Sequence, residues 1–173
     1  MYSEGEIRET LLTETLRPGM SDPNQILKAA QRILLADWSN PGVPRTLVEA
    51  GFAVFCVSPG RYSVVEILPG PPKDVDTKGA FPPQEHEDGY LVFRKLGGPP
   101  SGVDIVNVYR PENEHAGIVA NQVVPLGAKV LWLQPSIASG TARGLAAEYG
   151  LELVEGIDIA DVARDLGNRK ASR

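Results

Sequence analysis

Mainly apolar runs of strand length take turns with helical spacings along most of this chain. Residues 32–36 (RILLA) and 52–57 (FAVFCV) predict two buried strands, the second rich in β-branched and aromatic residues. Between them a turn-rich stretch, Asp37-Trp38-Ser39-Asn40-Pro41-Gly42, leads into a helix predicted from about Val43 to Ala50, with Gly51 as its cap. Ahead of the first strand, Asp22-Pro23 supplies an N-cap and a first-turn proline, and Ile26, Leu27 and Ala30 share one helical face. Residues 1–21 are polar, with weak periodicity at Ile7, Leu11, Leu12 and Leu16, and predict a short helix or a loosely docked arm.

The same grammar returns after residue 102. Residues 103–109 (VDIVNVY) predict a strand, and residues 112–126 predict a helix with Ala116, Val119, Ala120 and Val123 on one face. Gly127 ends that helix and residues 129–133 (KVLWL) predict another strand. Ala142, Leu145, Ala146 and Tyr149 repeat the helical spacing up to Gly150, and residues 151–154 form the last predicted strand. Asp158 then caps a helix carrying Ile159, Val162, Ala163 and Leu166. Helices that end in glycine and run straight into apolar strands specify parallel pairing through right-handed crossovers, with both sheet faces covered. The expected fold is α/β, a Rossmann-like doubly wound parallel sheet of about five strands, spanning residues 22–173.

Residues 58–102 break the pattern. They hold eight prolines and many glycines, which excludes a helix. Residues 61–68 (RYSVVEIL) and 90–96 (YLVFRKL) are strand-like, and residues 73–76 and 85–88 read as charged loops. The expectation is an inserted hairpin or flap over residues 60–101. It lies either over the carboxyl edge of the sheet or on the surface as a decoration.

Composition narrows the function. The 173 residues suit one domain, and 42% hydrophobic content suffices for a core. A net charge of -5 disfavours general binding to nucleic acid, though not a local pocket for one phosphorylated ligand. The single cysteine, Cys56, lies in an apolar run and reads as a buried structural thiol. The polar N-terminus does not read as a signal peptide, and no apolar run approaches the roughly 20 residues that cross a bilayer. A cytoplasmic protein without membrane contact is expected.

In such a sheet, ligands sit beyond the strand C-termini, where strand order reverses and helix N-termini offer N–H groups to phosphate. That rule selects Ala36, Asp37, Trp38, Ser39, Asn40, Gly42 and Val43 after the first strand. It selects Ser58 and Pro59 after the second, Tyr109 and Arg110 after the third, and Gln134 after the fourth. Trp132 lies inside a strand and is expected in the core.

The stretch 103–134 (VDIVNVYRPENEHAGIVANQVVPLGAKVLWLQ) resembles the third strand, helix and fourth strand of the coenzyme A-binding domain of small standalone CoA-binding proteins. The carrying elements are Asp104 to Arg110 (DIVNVYR) and Leu126 to Gln134 (LGAKVLWLQ). Upstream, EAGFAVFCVSP at 49–59 is similar to the family's second-strand element. A more distant similarity is to the N-terminal domain of the succinyl-CoA ligase alpha subunit. The resemblance implies a small-molecule nucleotide ligand, CoA or acyl-CoA, bound through its ADP moiety. Ala36 to Gly42 would then sit by the diphosphate, and Ser58 and Pro59 would flank adenine or ribose. Tyr109 and Arg110 would line the crevice floor, with Gln134 at its far wall.

The first loop departs from the family pattern. Ala36 stands where the family has glycine, Ser58 stands where it usually has asparagine, and Asp37 puts a negative charge where phosphates should sit. At about 5 Å and an effective dielectric near 20 that repulsion is on the order of 3 kcal/mol per charge pair. A bidentate Arg110–phosphate contact is weighed against an ion pair with Glu112 or Glu114, and a ligand role for Gln134 against a bond that closes a loop. Catalytic equipment is thin. His86 lies among Glu85, Glu87 and Asp88 in a solvated loop, His115 lies in a first helical turn, and no P-loop, nucleophile elbow or CxxC occurs. The expected function is ligand binding without chemistry. One alternative is an interaction module whose altered pocket docks a protein partner or a second copy. The other is an NAD-type protein, disfavoured because neither GxGxxG nor an acidic residue at the end of the second strand is present.

Overall fold

The computed structural model describes residues 22–58, 60–73 and 79–171. The expected N-terminal arm, Pro59 and most of the 73–76 loop lie outside them.

Helix α1 (Pro23–Ala29) starts as its sequence predicts, with the Asp22 side chain accepting the Asn24 N–H. It leads to β1 (Arg32–Ala36), α2 (Gly42–Glu49) and β2 (Ala53–Ser58). Strands β3 (Arg61–Leu68), β4 (Ala80–Phe81) and β5 (Tyr90–Lys95) follow. The chain then returns through β6 (Ile105–Val108), α3 (His115–Ile118), β7 (Val130–Leu133), α4 (Gly140–Tyr149), β8 (Glu152–Val154) and α5 (Ile159–Ala171).

The eight strands form one sheet in the order β4-β5-β3-β2-β1-β6-β7-β8. The five expected strands, β2-β1-β6-β7-β8, are all parallel. Two buried clusters cover the faces. On one, α1, α2 and α5 pack Leu27, Leu47 and Ala163 against Ile33, Leu35, Ile105 and Trp132. On the other, the turn after α3 and helix α4 pack Val119, Val123, Ala142 and Ala146 against Leu34, Val106, Leu131 and Leu133. Trp132 is a core residue, and its indole N–H also donates to the Ile157 carbonyl at 2.9 Å.

The sheet has eight strands where about five were expected, because the inserted segment joins it. Only Pro59 and Gly60 separate β2 from β3, and Gly60 has φ +73°. A two-residue connection with a left-handed position pairs its flanking strands antiparallel. Ser58 accordingly faces Arg61, and β5 extends the ladder from β3.

The helix expected at 112–126 is subdivided. A 3-10 turn at Glu112–Glu114 precedes α3, and a wide π turn follows at Val119–Val123. Pro125 accounts for the widening. Its ring has no N–H and would clash with the carbonyl four residues back, so the ladder passes to a five-residue step, Val124 N–H to Val119 C=O at 3.0 Å.

Asp104, the first residue of the DIVNVYR element, pins the opposite end of the sheet. Its Oδ2 accepts the backbone N–H groups of Gln31 at 2.8 Å and Arg32 at 2.9 Å, which fixes the start of β1 beside β6. Asp104→Ala is expected to lower the unfolding free energy by about 2 kcal/mol in a urea titration, while Asp104→Asn loses about half as much.

Candidate functional site

Strand order reverses between β1 and β6. From β1 the chain crosses over one face through α2, and from β6 it crosses over the other through α3. The two connections diverge at the C-terminal edge of the sheet, the place where folds of this topology have their ligand crevice. Ala36, Asp37, Trp38, Ser39, Asn40, Tyr109 and Arg110 are brought together there. Ser58 is exposed at the end of neighbouring β2, and Tyr109 N–H donates to Ala36 C=O at 3.1 Å across the floor.

The charges at this mouth are paired with one another. Arg110 grips Glu114 with two donors, Nε to Oε2 at 2.8 Å and Nη2 to Oε1 at 3.0 Å. Its third nitrogen, Nη1, reaches across the crevice to Asp37 Oδ2 at 3.0 Å. Of the two readings weighed for Arg110, the ion pair is present, with Glu114 rather than Glu112. Glu114 first, and Asp37 second, push the guanidinium pKa above its ordinary value. Two carboxylates around one guanidinium leave the cluster net negative. The Arg110 and Asp37 side chains are 42% and 43% exposed, so water weakens the pair.

Asp37 has φ +69°, in the left-handed region that glycine occupies at no cost. Its Oδ1 accepts the Trp38 N–H at 2.9 Å, which helps an acidic residue hold this conformation. Trp38 then turns away from the crevice mouth. Its ring stacks on Phe93 of β5 at 5.5 Å and meets Phe81 of β4 edge-on at 5.8 Å, while Phe81 and Phe93 also meet edge-on. The inserted segment therefore braces the first loop. Burial, helped by the nearby charge of Asp37, raises the Cys56 thiol far above its ordinary pKa against a weaker opposing bond from Trp38, so it stays protonated and inert.

The start of α2 shows what the loop offers a phosphate. Gly42 N–H donates to Asn40 Oδ1 at 2.9 Å, Val43 N–H to Asn40 C=O at 3.2 Å and Arg45 N–H to Pro41 C=O at 3.1 Å. Pro41 and Pro44 carry no N–H. The Asn40 cap needs glycine at 42, since a Cβ there would lie 2.7 Å from Asn40 Oδ1. The donors that usually receive a phosphate at a helix N-terminus are used or absent here. As the loop stands, it does not fit a diphosphate.

Two predicted residues sit away from the open crevice. Val43 is buried in the core beneath α2. Gln134 is buried and closes the start of α5: Oε1 accepts the Ile159 N–H at 3.1 Å and Nε2 donates to Asp158 Oδ1 at 3.2 Å. The same Oε1 accepts from Asn107 Nδ2 at 3.4 Å.

Three residues outside the predicted site shape it. Asn107 is the single polar residue in IVNV, a signal that was available. His115 is buried and holds Arg110 C=O through Nε2 at 2.7 Å and Ser139 Oγ through Nδ1 at 2.8 Å. Arg45, on α2, is buried and binds the inserted segment through Glu87 and the carbonyls of Asp88 and Gly89. Partners so distant in sequence give no local signature.

Elsewhere, a cleft of about 700 Å3 opens at the N-terminal end of the sheet among Leu27, Arg32, Ala50, Phe52 and Leu166, remote from the crevice. Among the described residues no group of three or more His, Cys, Asp or Glu side chains could hold a metal, and no helix is long and apolar enough to cross a membrane.

A mostly parallel α/β sheet with its strand order reversing between β1 and β6 defines a Rossmann-like domain. Residues 37–160 match the family model of the CoA binding domain, and the chain belongs to that family. Solved structures agree on the fold. A Thermus thermophilus protein, cell-free ID.343, is 20% identical with a TM-score of 0.54, covering 84% of this chain and 99% of that one. A hypothetical protein from Pyrococcus horikoshii OT3 is 20% identical with a TM-score of 0.54, over 84% of this chain and 89% of that one. Prb, described as the PH1109 protein redesigned for binding, is 22% identical with a TM-score of 0.56, over 84% of this chain and 91% of that one. No curated protein matches the sequence.

Proposed function

We propose that this chain is a ligand-binding protein without chemistry of its own, taking CoA or acyl-CoA through the ADP moiety in the crevice between the β1 and β6 connections. The observation that carries the reading is Arg110, a half-exposed guanidinium at the switch point of a CoA-binding domain. It lies at the strand end where this fold class receives phosphate, and its planar fork suits a phosphate as well as it suits Glu114. Tyr109 and Ser58 supply the adjoining surface for ribose or base.

Calorimetry with CoA, acetyl-CoA and ADP tests the proposal, together with the 260 nm absorbance of the freshly purified protein. The expected result is heat and a thermal shift for CoA at or below millimolar concentration, lost in Arg110→Ala. Silence at millimolar ligand rejects it. The closed start of α2 favours a second reading, an interaction module whose crevice docks a protein, and that reading predicts the silent outcome.

A further inference from the structure

Beside the used donors at the start of α2, a second obstacle to a phosphorylated ligand lies at Arg110, whose third nitrogen is held by Asp37. We propose that the Asp37–Arg110 pair is an autoinhibitory latch, and that Phe93 and Phe81 are positioning residues that hold it shut by bracing Trp38. This inference rests on the ligand reading above.

Asp37 Oδ2 occupies one donor of Arg110, as a ligand phosphate oxygen would. The pair joins residues 73 positions apart and spans the two lips of the crevice. A phosphorylated ligand must take that third nitrogen of Arg110 from Asp37 and move the carboxylate aside, because a third anion beside Glu114 and Asp37 adds repulsion that one guanidinium does not offset. Asp37 is tied to its neighbour. It sits in a left-handed conformation at φ +69°, bonded to the N–H of Trp38, and the next side chain packs against the rings of Phe81 and Phe93, which also meet each other. Rotating the carboxylate away breaks its bond to the Trp38 N–H, and relaxing the left-handed backbone at Asp37 then turns the Asp37–Trp38 peptide against the Trp38–Phe93 contact. The strain at Asp37 favours opening, and the aromatic contacts of the insert oppose it. A segment that touches no ligand thus sets how readily the ligand site opens.

The test compares calorimetric affinity for CoA in the wild type, Asp37→Asn, Phe93→Ala, Phe93→Tyr and Phe81→Leu, with melting temperatures measured in parallel. Asp37→Asn is expected to bind roughly tenfold tighter, a value reduced for the exposure of the pair. Phe93→Ala is expected to bind roughly threefold tighter while melting lower, and Phe93→Tyr to return to wild-type affinity. Phe81→Leu, a milder change, repeats the gain if Phe93→Ala does not fold. A merely structural role lowers stability without tightening binding. Wild-type or weaker affinity in both Asp37→Asn and the aromatic variants overturns the latch and leaves the ligand reading standing. Absence of binding in every protein overturns the ligand reading and the latch with it.

Discussion

Replacing Arg45 by alanine is expected to lower the unfolding free energy by about 3 kcal/mol and to release residues 82–89 from α2. The guanidinium side chain is 4% exposed, and its partners all come from the insert: Glu87 Oε2 at 3.1 Å, Gly89 C=O at 3.0 Å and Asp88 C=O at 3.4 Å. Truncation strands a carboxylate and two carbonyls at once, each of which costs about 1–3 kcal/mol when it stays buried. Glu87 is 29% exposed and regains water, which places the sum at the lower end of that range. Glu87→Gln removes one charge and leaves both carbonyl contacts, so about 1 kcal/mol is expected. Urea denaturation gives the energies. Limited proteolysis separates local release from global loss: cleavage within 82–89 should appear in Arg45→Ala under conditions where the wild type stays whole. The turn that presents those carbonyls leaves no room for change, since Gly89 has φ +83° and a Cβ there would lie 2.7 Å from Leu68 C=O.

The same residues mark where sequence reasoning reaches and where it stops. The parallel strands were legible because a sheet covered on both faces demands mainly apolar runs: 33–36, 53–57 and 130–133 are such runs, and 105–108 is broken only by Asn107. The start of α1 was legible because Asp22 and Pro23 act within one turn. The insert was recognised as strand-like, but its union with the sheet depended on reading Pro59-Gly60 as a hairpin turn, a signal of two residues in a proline-rich segment. The π turn at Val119–Val123 follows from Pro125, whose effect on the ladder the apolar spacing conceals.

The candidate site was legible as a place before it was legible as chemistry. Strand ends and the reversal of strand order name Asp37, Tyr109 and Arg110 without any coordinates. Which charge meets which is another matter, because Asp37 reaches Arg110 from 73 residues away and Trp38 finds Phe93 in a strand of the insert. The character of the α2 N-terminus was half legible. Pro41 and Pro44 announce two missing donors, whereas the capture of the Gly42 N–H by Asn40 is a matter of side-chain conformation.

Removing the Ser139 hydroxyl is expected to cost more than the loss of a helix cap. Ser139 Oγ accepts the Ala142 N–H at 2.9 Å and so caps α4, a contact worth about 1 kcal/mol. It also faces His115, and the network fixes the roles. Nε2 of His115 lies against the Arg110 carbonyl, which only accepts, so Nε2 carries the hydrogen. In the neutral ring Nδ1 is then an acceptor, and the Ser139 O–H donates to it. Ser139→Ala removes the cap and leaves a buried ring nitrogen unpaired, for a total of about 2–3 kcal/mol. Ser139→Thr keeps both bonds and is expected to stay within about 1 kcal/mol of the wild type. His115→Ala opens a cavity and frees the Arg110 carbonyl, at about 3 kcal/mol. The double variant should cost about 1 kcal/mol less than the two singles added, because each single strands a partner that the double removes. Strict additivity would mean that the imidazole and the hydroxyl act independently. The coupling bears on the crevice as well, since the ring that Ser139 orients holds the backbone from which Arg110 reaches Asp37 and Glu114.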